Sequence, residues 1–278
     1  MNINDKSVAL VTGASSGIGR EIVKQLLDDG LVVYAAARSI EKMNDLQETG
    51  AIPLRMDVTR NEDVAAAIAT IGLQHGGVDI LVNNAGFGCY GAVEDTSIED
   101  ARYQFEVNLF GMARLTMVVL PYMREKRAGR IVNISSMGGK IYTPLGAWYH
   151  ATKYAVEGLS DCLRLEVAPF GIQVVIVEPG IIETHFADVM LGPMMARSGN
   201  SAYSEMARSV ESSSKRAYAP GAGSPPSLVA KTVSEAIHAK RPKTRYTVGK
   251  LARPLIFVRK WFGDRLYDKL ILGALNKS

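Results

Sequence analysis

Residues 7–30 read SVALVTGASSGIGREIVKQLLDDG, and the succession of side-chain types within them sets the fold. SVALVT (7–12) is a short apolar, β-branched run, the composition of a strand covered on both faces. GIGREIVKQLLDDG (17–30) repeats apolar residues at helical spacing and stops at a glycine. TGASSGIG (12–19) joins the two. Gly13, Gly17 and Gly19 allow backbone N–H groups to approach a pyrophosphate, and the helix start adds positive potential. The lysine of a P-loop is missing, and the spacing departs from the commoner G-x-G-x-x-G. The expected cradle comprises Gly13, Ser15, Ser16, Gly17, Ile18 and Gly19, with a plain glycine-rich turn as the alternative.

The same alternation continues outward. LVVYAAA (31–37), AIPLRMDV (51–58), VDILVNNAG (78–86), GRIVNISS (129–136), IQVVIVEPG (172–180) and TRYTV (244–248) read as further strands. Between them, Met112, Leu115, Val119 and Met123 form one helical stripe, and Val156, Leu159, Leu163 and Val167 another. Seven such runs predict a single Rossmann-type doubly wound α/β domain, a seven-stranded parallel sheet with helices on both faces. Residues 1–248 would form that catalytic domain and 249–278 a basic amphipathic extension. Residues 185–226, rich in Ser, Met, Gly and Pro, break the rhythm and are expected to be a long substrate loop.

The chain has 278 residues, 47% hydrophobic and 22% charged, as in ordinary globular proteins. Its net charge of +4 is unevenly spread. Residues 240–278 hold eleven Lys or Arg against two Asp, net +9, whereas 1–239 are net −5. No nucleic-acid partner is expected of an acidic main domain. Cys89 and Cys162 alone make no disulfide framework. His75, His150, His185 and His238 show no metal-ligand spacing, so no metal is expected. The N-terminus lacks the basic and long apolar regions of a signal peptide, which points to a cytoplasmic location.

At the end of the second strand, an acidic residue would bind the ribose of NAD; here Ala37 and Arg38 stand instead. An arginine fork suits a 2′-phosphate, so NADP(H) is preferred and NAD(H) is the alternative. Asp57, with Val58 after it, closes the third strand beside the expected adenine position, or is a turn residue.

Four motifs then occur in order: TGASSGIG (12–19), NNAG (83–86), YHATK (149–153) and PGIIET (179–184). Together with Asn108 in VNLFG and the serines of ISS (134–136), they resemble the short-chain dehydrogenase/reductase family. Within it the chain looks similar to bacterial oxidoreductases of the 17-beta-hydroxysteroid and retinol dehydrogenase kind. The resemblance implies an NAD(P) cofactor and a tetrad of Asn108, Ser136, Tyr149 and Lys153. It also implies cofactor contacts from Asn84, Ala85, Gly86, Pro179, Gly180, Ile182 and Thr184 as well as from Tyr149 and Lys153. Asn108 would orient a water leading to Lys153, and the family assembles as homodimers or homotetramers.

The residue types suit that chemistry. Spacing of i, i+4 sets Tyr149 and Lys153 on one helical face. A nearby ammonium favours the phenolate and makes tyrosine a usable acid or base. Ser136 would hydrogen-bond the reacting oxygen. Phe87, Tyr90, Met137, Tyr142, Phe186 and Met190, with Leu191, Met194 and Met195, follow the strand ends. Such adaptable apolar groups suit a lipophilic steroid-, retinoid- or long-chain-like carbonyl. A 3-ketoacyl-carrier reductase and a non-catalytic dinucleotide sensor are the alternatives. The tail, GKLARPLIFVRKWFGDRLYDKLILGAL (249–275), packs on its own domain or a second subunit, or lies on an anionic membrane, with packing favoured.

Overall fold

The computed structural model describes residue 3 and residues 6–275; the outermost residues of both sequence-defined regions, 1–2, 4–5 and 276–278, lie outside the described residues. Seven strands form one parallel sheet: β1 (Val8–Thr12), β2 (Val32–Ala37), β3 (Ile52–Arg55), β4 (Ile80–Asn83), β5 (Gly129–Ile134), β6 (Ile172–Pro179) and β7 (Arg245–Val248). Their order is β3-β2-β1-β4-β5-β6-β7, and every pair is parallel, as the alternating pattern predicts. The helices are α1 (Gly17–Asp28), α2 (Asn44–Glu48), α3 (Asn61–His75), α4 (Ile98–Phe105), α5 (Met112–Lys126), α6 (Ala147–Val167), α7 (Phe186–Ser198), α8 (Ser204–Ala217), α9 (Pro226–His238) and α10 (Ala252–Leu275).

Strand side chains alternate between two cores. Ala9 and Val11 pack with Ile22 and Leu26 of α1 and Val229 and Val233 of α9. Val8 and Leu10 face the other way, against Ile68 and Ile71 of α3 and Leu115 and Val119 of α5. Both faces are therefore dry, and the strand sequences can be apolar throughout. The guanidinium of Arg130 is buried among the last carbonyls of α9, donating to Ala236 and, at 3.1 Å, to Ala239. A cation there satisfies carbonyls that the helix leaves open.

Two expectations need correction. Residues 185–226 are not a loop: α7 and α8 occupy most of the segment. Ala187, Met190, Leu191 and Met194 recur at helical spacing and close a third cluster with Ala207 and Val210 above the sheet's carboxyl edge. The apolar stripe of α6 is rotated from the expected one. Leu159 is exposed, and the inward face carries Thr152, Lys153, Glu157 and Ser160. Those polar groups find partners inside; Ser160 Oγ accepts from Asn133 Nδ2 at 2.9 Å. The extension from residue 249 packs against the main body, the arrangement favoured for it, with Ala252 and Tyr267 buried.

Candidate active site

Strand order reverses direction between β1 and β4, which opens a crevice beyond their carboxyl ends. Thr12 braces it: its Oγ1 accepts from the backbone N–H of Asn84 and of Ala85, both at 3.0 Å. Asn84 Nδ2 donates back to the Thr12 carbonyl at 2.9 Å. Gly13 and Gly17 sit at φ of 66° and 52°, which L side chains rarely adopt. Gly19 answers a different need. A Cβ there would lie 2.3 Å from the Gly13 carbonyl oxygen, so Gly19 allows the helix to meet the strand but does not wall the cavity. The first turn of α1 has no acidic side chain, and Ser16 makes no side-chain cap, so its N–H groups suit an anion in the crevice.

One cavity of about 850 Å³ runs from this turn to the end of α10. Ser15, Ser16, Ile18, Arg38, Asp57, Val58, Ala85, Gly86, Pro179, Gly180, Ile182 and Thr184 join Gly13, Gly17 and Asn84 along it. Arg38 is exposed at the end of β2, its Nη1 donating to the Tyr103 hydroxyl at 3.4 Å. The Asp57 carboxylate also accepts from Thr59 N–H at 2.9 Å and Thr59 Oγ1 at 2.7 Å, a turn role alongside its place on the wall.

Ser136, Tyr149 and Lys153 meet on the opposite side of the same cavity. Lys153 Nζ donates to the Ile134 carbonyl at 2.9 Å and stands 5.9 Å from the Tyr149 ring centroid. Burial pushes the Lys153 amine down to about 8, while Glu157, one turn along α6, pulls it up. Glu157 is itself tied to Lys140 at 2.9 Å and Arg245 at 3.0 Å. Burial also raises the Tyr149 phenol above its ordinary value, and the Ser136 hydroxyl works against that rise. Desolvation is the leading cause, so the phenol stands above its ordinary value rather than below it as expected. Such a phenol holds its proton through neutral pH and is suited to donate it.

Asn108 lies in a π turn, Glu106–Gly111, between α4 and α5. Its side chain does not reach the cavity. Oδ1 accepts from Phe87 N–H at 3.0 Å, and Nδ2 donates to the Phe87 carbonyl at 3.0 Å and to Thr152 Oγ1 at 3.1 Å. These bonds hold the β4 loop on the helix that carries Tyr149. Asn108 thus has a structural role alongside the water-orienting one expected of it, and its Oδ1 keeps one acceptor position.

Phe87, Tyr90, Met137, Phe186 and Met190 line the cavity. Tyr142 does not. Its hydroxyl donates to Asp268 at 2.8 Å and its ring meets Tyr267 edge-on at 5.1 Å, so it anchors α10. Leu191, Met194 and Met195 pack between α7 and the body. The aromatic wall instead gains Tyr218 from the end of α8, 6.2 Å from Phe186. Tyr90 and Phe186 lie 5.7 and 5.5 Å from Tyr149. Burial raises the phenols of Tyr90 and Tyr218 far up, so both stay neutral.

His150 is a buried clamp. Nε2 accepts from Thr143 N–H at 3.0 Å, so Nδ1 carries the proton and meets the Gly138 carbonyl at 2.9 Å. Burial pushes its pKa below 6.5, against the pull of two backbone bonds. The unfolded chain therefore takes up this proton first as pH falls. The stabilising contribution is complete above pH 6.5 and shrinks below it. Replacing His150 with Asn should flatten the loss of thermal stability between neutral and mildly acidic buffers. Parallel melting-point curves for the two proteins would refute this role.

Among known proteins, the chain matches the family described as short chain dehydrogenase over residues 7–191. It is 41% identical to a 3-ketodihydrosphingosine reductase of Bacteroides thetaiotaomicron over 65% of this chain and 66% of that protein, just under two thirds of the relative's length. It is 33% identical to an NADPH-dependent 3-dehydrocapnine reductase of Ornithobacterium rhinotracheale, over 97% of both chains. A variant of actinorhodin polyketide ketoreductase solved with NADPH superposes with a TM-score of 0.74 at 35% identity, covering 89% of this chain and 97% of that one. The parallel sheet, the glycine turn beside Asn84 and the match over residues 7–191 agree: this chain belongs to the short-chain dehydrogenase family.

Proposed function

We propose that the protein is an NADP(H)-dependent oxidoreductase that reduces a lipophilic ketone to its secondary alcohol. The observation that carries this is the proton-holding Tyr149 set in an aromatic wall, in one cavity with the glycine turn. Gly13 and Gly17 leave room for a dinucleotide backbone, and the open N–H groups of α1 suit its phosphates. Arg38, with no carboxylate ending β2, suits a 2′-phosphate. When bound, the nicotinamide supplies or takes up the hydride. Tyr149 gives its proton to the carbonyl oxygen, and Ser136 Oγ holds that oxygen in place. Lys153, fixed by the Ile134 carbonyl, balances the charge left on the phenol.

Tyr90, Phe186, Met190 and Tyr218 favour a hydrocarbon-rich substrate. Among steroid-, retinoid- and long-chain-like compounds, the names of the two bacterial relatives favour ketones of lipid type. Exposed Phe110, Met117 and Leu165 on the α5 and α6 side support assembly as a homodimer or homotetramer.

A panel of ketones and alcohols, followed by NADPH and NADH absorbance, tests the reading. Turnover of long-chain ketones with NADPH is the expected result. Acceptance of carrier-bound 3-ketoacyl groups alone would move the assignment to a carrier reductase. Tight NADPH binding without turnover of anything would leave a sensor. For the cofactor, Arg38→Ala should raise KM for NADPH roughly tenfold or more, the worth of one charge-assisted bond, and leave KM for NADH unchanged. Equal shifts for both cofactors would remove Arg38 from phosphate recognition.

A further inference from the structure

The extension folds as α10, split at Gly263, where φ of 74° and ψ of 178° break the helix into two arms. The protein side of each arm is settled. Ala252 and Tyr267 are buried, and Tyr267 donates to the Tyr142 carbonyl at 3.1 Å. Both carboxylates of the helix are turned onto protein partners, Asp264 to Arg259 and Asp268 to the Tyr142 hydroxyl.

The outer side is different. In the first arm, Arg253, Phe257, Lys260 and Trp261 fall at i, i+4, i+7 and i+8, on one face. In the second, Arg265, Leu266, Lys269 and Leu270 repeat the mixture. Phe257 is 55% exposed, Trp261 67%, Phe262 57% and Leu266 48%, far from the burial expected of such side chains in a packed helix. Basic and large apolar groups thus share one surface. Paired about a two-fold axis with a second copy, that surface would bring like charges together. Anionic headgroups above acyl chains satisfy both kinds of side chain: Lys and Arg meet phosphate, while Trp, Phe and Leu enter the boundary. No helix among the described residues is long and apolar enough to cross a membrane.

The far end of the second arm connects this surface to the site. Ile271, Ala274 and Leu275 line the cavity together with Val210 and Ala217 of α8. We propose that α10 seats the protein on an anionic lipid surface, and that a lipophilic substrate enters the cavity from that lipid past Ile271 and Leu275. The second half of this statement rests on the lipophilic-substrate reading given above; the first half does not.

The test separates them. The full chain is spun with vesicles of phosphatidylcholine alone or mixed with phosphatidylglycerol. Binding to the mixed vesicles only, weakened by salt, is expected. The double variant Phe257→Ser, Trp261→Ser and the charge variant Lys260→Glu, Lys269→Glu should each lower the bound fraction at least tenfold while keeping turnover of a small soluble ketone. With a long-chain ketone presented in the vesicles, the same variants should lose activity in step with binding. Wild-type protein left in the supernatant at low salt overturns docking. So does an oligomer that dissociates on Trp261→Ser without any vesicle binding, which would make the face a contact between copies. Vesicle binding with unchanged turnover of vesicle-borne ketone in the variants overturns the entry route and leaves docking standing. Vesicle binding with no lipophilic ketone turned over overturns the substrate reading instead.

Discussion

Tyr149→Phe is expected to fold normally, bind NADPH as before, and lose roughly a thousandfold of its turnover, within the range that a positioned proton donor supplies. The aromatic body stays. Phenylalanine keeps the ring contacts with Tyr90 at 5.7 Å and Phe186 at 5.5 Å. Only the hydroxyl leaves, and burial already holds it in the protonated form. Its loss removes the group that protonates the incoming alkoxide, so kcat should fall while the KM for NADPH stays. The direction of the phenol's shift also sets a pH dependence. A proton donor held above its ordinary value remains loaded at neutral pH, so kcat/KM for reduction should be flat there and decline as pH rises through about 8, where Lys153 loses its charge. Near-wild-type kcat for Tyr149→Phe, in protein that binds NADPH, would end the assignment of Tyr149 as the acid.

Lys153→Met should abolish most activity and, in the same protein, increase stability. Lys153 is buried and its amine falls from 10.5 to about 8 on folding. Below pH 8 the folded state carries a cation that would rather be in water, a cost on the order of 3 kcal/mol. Methionine has a similar reach and no charge. Losing the bond to the Ile134 carbonyl gives back about 1 kcal/mol, leaving a net gain of about 2 kcal/mol at neutral pH. The sign follows from proton uptake. Between 8 and 10.5 the unfolded chain binds the proton and the folded chain does not, so wild-type stability rises with pH and the gap to Lys153→Met closes. Denaturant midpoints at pH 7 and pH 9 check this, with both values below the range where tyrosines ionise. A variant less stable than wild type at pH 7 would show that the buried ammonium is satisfied after all. The expected pattern is one in which a reactive group is held at the expense of stability.

Several features were open to reading because they depend on neighbours along the chain. Val8 to Thr12 are apolar on both faces because both faces are covered, and the run is continuous for that reason. TGASSGIG sits at a strand-to-helix turn that only glycines at positive φ can make. Other features were hidden. α7 contains Gly192 and Pro193, poor helix formers, and owes its helix to Met190, Leu191 and Met194 packing beside Tyr90 and Tyr149. The polar inward face of α6 defeats a search for apolar stripes, since Thr152, Glu157 and Ser160 are paid for by partners elsewhere in the fold.

The sequence by itself determined the succession of strands and helices along the chain, the glycine turn after β1, and the common face of Tyr149 and Lys153. Each of these follows from a local pattern: short continuous apolar runs, a period of 3.6, or a turn that needs glycine. Only the tertiary structure decided which aromatic groups wall the cavity, that Tyr142 reaches Asp268 across 126 residues, and that burial raises the Tyr149 phenol instead of lowering it. Those outcomes depend on which distant side chains exclude water from a group, and no short-range pattern records that.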